Sequence, residues 1–495
     1  MKAIKKLFLL CLLCTTGMTV WADDEVCPNN QIWYYTAADE PLAETTDQNA
    51  TGIHTNAFNV TLKSHELVYY HDGIGKGILT FDGDVTTIGA YAFRSCNVLH
   101  IDLPASVTTI GCGAFNGCKA STVVIPDAVT AIGDEAFYGC PATSIILPEA
   151  LTSIGKNAFQ NCNNIKSIVI PDAVTEIGDY AFSYCTVLED ITLGKSLKTI
   201  GAYAFGVCRK LASITIPGSV TSIGKDAFQI CSKLKKVTLH SFPEFGTSIF
   251  SSSPTVTLEL SDAEHPYIAA TTANAPTIKS AKYTRTLGEG ELGTITLPFL
   301  PDNLSDYTFF RLYDAYDDTL VFSVVESKNV MAGVPYLYKN ADDANISTAM
   351  TANGPVAITV ETSDLRKIGD WQMYGTLRSV EASDNSFFVV EGDGFVNATT
   401  GTQVNPMHAY LTNTAYAPAK AFIKLVDDGG NDYTGIDAAK LQSELCSQGA
   451  GSREQVAGTA YDLSGRKVQL GQSGQLAPSV PSGLYIIGGK KVMVR

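Results

Sequence analysis

Apolar positions recur in a fixed order seven times between Gly89 and Cys231. An Ile-Gly pair is followed by two variable residues, Ala-Phe, two more variable residues and a cysteine. The phenylalanines are Phe93, Phe115, Phe137, Phe159, Phe182, Phe205 and Phe228, spaced 22 residues apart three times and then 23 three times. The cysteines are Cys96, Cys118, Cys140, Cys162, Cys185, Cys208 and Cys231. Self-similarity at this period predicts a solenoid, an architecture that presents surfaces for binding or spacing.

Residues 166–185 serve as the type unit. Ser167-Ile168-Val169-Ile170 alternates and is β-branched, so it predicts a short strand with Ile168 and Ile170 inward and Val169 outward. Pro171 ends it because proline cannot donate to a ladder. Val174, Ile177, Ala181 and Phe182 point inward again, and Gly178 is expected to permit a tight bend. The unit offers about seven inward apolar groups, worth ~10–20 kcal/mol. Ordering its backbone costs more, at roughly 1–2 kcal/mol per residue. One repeat therefore cannot fold alone, and the strands are expected to pair into one parallel sheet. Atypical ends mark caps. Residues 77–89 enter the pattern without a full preceding turn, and Pro243-Glu244-Phe245 interrupts it at the exit.

The outward strand positions form two columns. One runs His100, Thr122, Ser144, Ser167, Asp190, Ser213, Lys236; the other runs Asp102, Val124, Ile146, Val169, Thr192, Thr215, Thr238. Val124, Ile146, Val169, Thr192 and Thr215 are the candidate ligand-binding residues, since an exposed apolar stripe can mark an interaction site. β-branched residues also simply suit strands, which leaves both readings open. The pairs after Ile-Gly, such as Asp134-Glu135 and Asp179-Tyr180, read as solvated turn residues. The repeat cysteines read as small buried hydrophobes, because stacked identical positions keep their Cβ vectors parallel and no Cys-x-x-Cys spacing suggests zinc.

Further along, the texture changes. Residues 261–286 read as a last cap and connector, and residues 287–426 as a β-sandwich-like domain without a useful helix. Its expected strands include residues 293–299, 309–313, 319–325, 335–338, 356–360, 387–390 and 408–411. Asn353-Gly354 and Gly392-Asp393-Gly394 are its turn signals. Residues 427–456 read as a flexible linker, and Asp427 to Asp432 lacks the ligand spacing of a calcium loop. Residues 457–495 form a small C-terminal β unit with a hairpin around Gly488-Gly489. The fold class expected is thus mainly β: a solenoid over 77–260 behind an N-terminal cap region (23–76), then a sandwich-like domain and a small β unit.

Residues 1–22 form a signal peptide: Lys2, Lys5 and Lys6, an apolar core over 7–13, and Val20-Trp21-Ala22 before Asp23. Leucine precedes Cys11 and Cys14 where a lipid-attachment site needs a small residue. No segment is long enough to span a bilayer. A formal net charge of −15 argues against nucleic acid and anionic lipid as partners.

The phrase I-x-I-P-x-x-V-T-x-I-G-x-x-A-F-x-x-C resembles the BspA-like leucine-rich repeats of bacterial surface proteins. Ile32 to Thr36 and residues 81–89 look like the N-terminal cap of members from the Bacteroidota. The ending YDLSGRKV…PSGLYIIGGKKVMVR resembles the C-terminal sorting domains of type IX secretion. The resemblance implies an exported, cell-surface or extracellular adhesin. Its partners would be a host extracellular-matrix or cell-surface protein or glycan and, through residues 457–495, the secretion machinery. It carries over no catalytic residue, cofactor or metal. Gly194 for proline, and Ala120 and Ala142 for leucine, depart from the pattern and are expected to loosen the core locally.

The alternative is a carbohydrate-binding or scaffold role for the sandwich, motivated by Trp371, Tyr336 and Tyr374 as exposed aromatics. No Gly-x-Ser-x-Gly elbow, P-loop, HExxH or Rossmann glycine set is present, so no enzyme is expected. The seven histidines (His54, His65, His71, His100, His240, His265, His408) are scattered and read mostly as surface residues.

Overall fold

The structure is a computed structural model. It describes residues 26–37, 42–47, 50, 52–69, 74–252, 254–262, 267–269, 273–285, 287, 291–316, 319–341, 349–360, 362, 367–382, 387–391, 394–413 and 420–426, and strand backbone at 460–462, 467–468, 483–487 and 490–494. The expected signal peptide, the 427–456 linker with its acidic loop, and the turn residues Gly392-Asp393 and Gly488-Gly489 lie outside them. The chain divides into two compact units, Met1–Asp432 and Tyr433–Arg495. Among the described residues every regular element is a strand apart from two single 3-10 turns, Leu304–Asp306 and Ser327–Asn329.

Each solenoid turn has three sides. In the type unit, the first strand Ser167–Val169 ends at Pro171, whose carbonyl accepts from Val174 N–H at 3.1 Å to close a corner. The second side is the two-residue strand Glu176–Ile177. The third side, Gly178 to Cys185, returns the chain through successive tight turns.

The continuous sheet is on the second side, where sequence reading saw only inward-pointing residues. Eight two-residue strands, from Thr87–Ile88 to Glu244–Phe245, pair in parallel without a break. The first-strand side, expected as one sheet, is a ladder in three stretches. His100–Asp102 pairs with Thr122–Val124, Ser167–Val169 with Asp190–Thr192, and Ser213–Ile216 with Lys236–Leu239. Ile145-Ile146-Leu147 runs between the first two stretches without ladder bonds.

The interior is a set of stacked columns. The rings of Phe93, Phe115, Phe137, Phe159, Phe182, Phe205, Phe228 and Phe250 lie near-parallel with centroids 5.1–5.5 Å apart. Beside them the repeat thiols are buried and free. Cys162, Cys185, Cys208 and Cys231 donate at 3.1–3.3 Å to the phenylalanine carbonyl one turn back. Burial pushes the Cys185 and Cys231 thiols up to about 12, so they stay protonated and inert.

Glycine in the Ile-Gly pair has a different role from the expected bend. Gly178 is not left-handed; a Cβ there would lie 2.7 Å from the Gly155 carbonyl carbon and 2.8 Å from Lys156 N. The pair lets one backbone settle directly on the next. Gly194 likewise does not loosen the core: its Cβ would meet the Pro171 carbonyl oxygen at 2.1 Å, so its absence allows close approach.

Both ends of the solenoid are covered. At the N-terminal end Gln31–Thr36 inserts antiparallel between Gly75–Phe81 and His100–Asp102. Tyr34 is fully buried against Gly77, and the Lys76 ammonium sits 3.4 Å above the Trp33 ring. Two histidines expected at the surface belong to this interior: His54 is fully buried, and His65 lies between the Tyr34 hydroxyl (2.6 Å) and Glu44 (3.0 Å).

At the far end the first-strand ladder continues through Thr255–Ser261 and Ile278–Thr284, so the stretch expected as a connector supplies a seven-residue strand. Met350–Val356 then pairs antiparallel with Ile278–Thr284 and closes the edge. Asn353-Gly354, expected as a turn, lies inside that closing strand, and residues 357–360 are not strand.

The following domain is a ten-stranded sheet. It folds over so that Gly293–Thr296 lies against Ala409: the Thr294 hydroxyl accepts from Ala409 N–H at 3.2 Å, and Thr296 N–H donates to the Met407 carbonyl at 2.8 Å. A partly buried polar knot ties this domain to the solenoid. Asp262 accepts from Arg285 Nε at 2.9 Å and from the Tyr283 hydroxyl, with His408 Nε2 at 3.5 Å. The second unit is a four-stranded sheet in which Gly483–Ile487 and Lys490–Val494 form an antiparallel hairpin.

Candidate binding surface

Alternation within the first strand decides what the solenoid shows to solvent. Ile168 and Ile170 are buried in the core, which turns Val169 outward. The same geometry applies one turn either side. Val124, Ile146 and Val169 are 36%, 42% and 63% exposed and form the exposed apolar row of this side. Val169 pairs directly with Thr192, and Thr215 lies two turns on from Val169; both threonines are exposed. All five candidate residues therefore share one surface. The columns are shorter than expected, because Thr122 and Thr238 are buried.

Around this stripe the chemistry is mild. Ser167, Asp190 and Ser213 border it in the neighbouring column and are exposed. At its N-terminal end His100 Nε2 lies 2.7 Å from Asp102 and its Nδ1 lies 3.1 Å from the Thr122 carbonyl, which holds that imidazole against the sheet. Among the described residues no group of three His, Cys, Asp or Glu side chains is gathered as metal ligands would be. The surface can offer apolar contact and hydroxyls across a row of strands.

These observations and the family comparison meet in the same residues. The model described as "BspA type Leucine rich repeat region" matches residues 86–186 and 152–266, in six copies. The chain belongs to the BspA-type leucine-rich repeat family. The BspA-type region has similar solved structures. A leucine-rich repeat protein from Bacteroides ovatus is 33% identical, covering 40% of this chain and 56% of that one, with a TM-score of 0.32. The leucine-rich repeat protein of T. pallidum is 30% identical, covering 26% of this chain and 74% of that one, with a TM-score of 0.25. A leucine rich cell surface protein from Faecalibacterium prausnitzii is 26% identical, covering 32% and 58%, with a TM-score of 0.20. The chain thus spans a little over half the length of the first of these. No curated protein matches it.

Two aromatics expected to be exposed on the sandwich are not. Tyr336 is 2% and Trp371 4% exposed: each points into the folded-over sheet, where Tyr336 packs edge-on against Phe309 and Trp371 against Phe388. Tyr374 is half-buried and stacked on Tyr410, which stacks in turn on Phe387.

The third side of the BspA-type turns holds residues that sequence reading passed over. The second residue after each Ile-Gly, from Tyr91 and Gly113 to Tyr180, Tyr203 and Asp226, has φ between 53° and 60°. The residue before each repeat cysteine, including Gly117, Gly139, Asn161, Tyr184, Val207 and Ile230, has φ between 53° and 66°. The pairs expected as plain solvated turns thus supply, through their second residues, one of two left-handed columns, and Asp226 in it is buried. Glycine and asparagine at Gly113, Gly117, Gly139, Asn157 and Asn161 were the available signal, since these residues adopt this conformation at least cost.

Proposed function

We propose that the chain is an exported surface protein that binds a partner through the first-strand side of its solenoid, without catalysis. The partner is a protein or glycan of a host matrix or cell surface. The observation that carries this reading is the exposed row Val124, Ile146 and Val169, held on adjacent turns above a closed core. Side chains fixed on a rigid repeat lose little freedom when a partner covers them, which favours binding. Charge supports a protein or glycan over nucleic acid. The leader-like residues 1–22 support export, and the ending at 457–495 supports a role in secretion. Among the described residues no helix is long and apolar enough to cross a membrane.

The test uses the full chain carrying Val124→Lys, Ile146→Lys and Val169→Lys together, compared with the unaltered protein on an array of matrix proteins and glycans. The substituted protein keeps its melting temperature, because all three sites face solvent, and loses the signal. A signal of undiminished strength would remove the first-strand side from the account.

A further inference from the structure

The two left-handed columns change character along the solenoid. Turns two to four carry glycine, asparagine or glutamate there, and the next two turns carry Tyr180, Tyr184, Tyr203 and Val207. Bulky side chains are disfavoured at positive φ, and such strain persists where the residue serves a purpose. Neither Tyr180 nor Tyr184 packs into the core, being 38% and 47% exposed.

Their surroundings define a notch one turn wide. Tyr180 stacks on Tyr203 with centroids 4.8 Å apart and planes 4° from parallel, so its other face looks along the axis toward turn four. Turn four offers Asn157, Gln160 and Asn161, all half-buried and shorter than the tyrosines above them. On the far side stands Tyr138 of turn three, whose hydroxyl accepts from Asn161 Nδ2 at 3.0 Å. Of the nearest charges, Lys156 and Asp179 pair with each other at 3.6 Å, whereas the Glu135 carboxylate accepts at 3.0 Å from the neutral Asn116 amide and keeps its charge. The notch therefore has an aromatic wall, an amide floor and one carboxylate, Glu135, at its turn-three edge, which disfavours an anionic ligand.

We propose that this notch, bounded by Tyr138, Tyr180 and Tyr184 over Asn157, Gln160 and Asn161, is a binding site for a neutral carbohydrate. An aromatic face takes the C–H face of a pyranose, and side-chain amides match its hydroxyls because each both donates and accepts. The repeat of the solenoid, 5.2 Å between the rings of Phe137 and Phe159 and again between Phe159 and Phe182, is close to the length of one sugar unit. A protein partner would call for a larger apolar core than the notch offers. The site lies on the third side and is independent of the first-strand row.

The test titrates the full chain with a panel of short neutral gluco-, manno- and galacto-oligosaccharides, read by calorimetry and tyrosine fluorescence. Tyr180→Asn and Tyr184→Asn place on turn five what turn four already has, and Asn157→Tyr fills the notch while keeping both tyrosines. At least one sugar binds saturably, each variant weakens it by about tenfold or more, and melting temperatures stay unchanged. Absence of saturable binding across the panel, or equal affinity in the variants, overturns the proposal. So does capture of an unglycosylated protein that these same variants abolish.

Discussion

Replacing Gly178 with alanine tests how the turns are held together. The added Cβ would lie 2.7 Å from the Gly155 carbonyl carbon, against 3.4 Å for ordinary contact, so turns four and five must separate locally by about 0.7 Å. Both flanking groups are backbone, and neither can swing aside. Two inter-turn bonds span this gap, Gly178 N–H to the Ile154 carbonyl and Asn157 N–H to the Asp179 carbonyl, each 2.9 Å. Stretched to about 3.6 Å, neither remains a hydrogen bond. Two lost bonds at ~1 kcal/mol each and overpacking of ~1–3 kcal/mol give a destabilisation of about 3–5 kcal/mol. Gly139→Ala is the matched control. It stands in the left-handed region at φ 66° with nothing within 4 Å of its Cβ, so it costs only the conformational term, ~1–2 kcal/mol. Urea unfolding of the two variants separates the terms, with hydrogen exchange locating the loss at turns four and five for Gly178→Ala. Equal costs for the two substitutions would refute backbone-on-backbone stacking as the reason for the Ile-Gly pair.

Three further outcomes follow from the same geometry. Phe182→Ala, in the middle of the ring stack, costs about 3–5 kcal/mol by urea unfolding, whereas Tyr184→Ala at the exposed left-handed site costs far less; a reversed order would contradict the assigned interior. Thiol labelling of the folded protein modifies Cys112, which is exposed, and spares the buried repeat cysteines until urea unfolds them; rapid labelling of Cys162 or Cys185 in the native state would contradict the burial. Burial alone would raise the Asp262 carboxyl, but His408 beside it, the charge of Arg285 and the bond from the Tyr283 hydroxyl outweigh it and hold it below the ordinary carboxylate value. A lowered folded-state value means the stabilisation is complete above the ordinary value and disappears as pH falls through the lowered one. Protection from hydrogen exchange at Ile278–Thr284, taken relative to the intrinsic rate at each pH, therefore falls in that acid window, and Asp262→Asn removes this pH dependence; a dependence that survives the substitution assigns it elsewhere.

The period of Phe93 to Phe228 made the solenoid legible, and alternation around Val169 placed the outward row correctly. What escaped notice depends on partners far away in sequence. Glu176-Ile177 is too short to read as a strand, and its ladder exists only through equivalent pairs one turn away. Gly178 reads as a bend because its real constraint is the backbone of Gly155, a whole repeat earlier. Asn353-Gly354 has turn chemistry, yet the open edge at Ile278–Thr284 recruits it into a strand. Trp371 and Tyr336 could be placed only once the ten-stranded sheet folded over them. Left-handed tyrosines were hardest to see, since their own residue type argues against that conformation.

Cutting the chain after the repeats would expose the edge that Met350–Val356 covers, so the decisive measurement keeps it whole. Full-length protein and its Val124→Lys, Ile146→Lys, Val169→Lys form are compared on matrix proteins and glycans at matched folding. The account predicts a partner retained by the first and lost by the second. Equal binding by both would contradict a recognition role for the first-strand side.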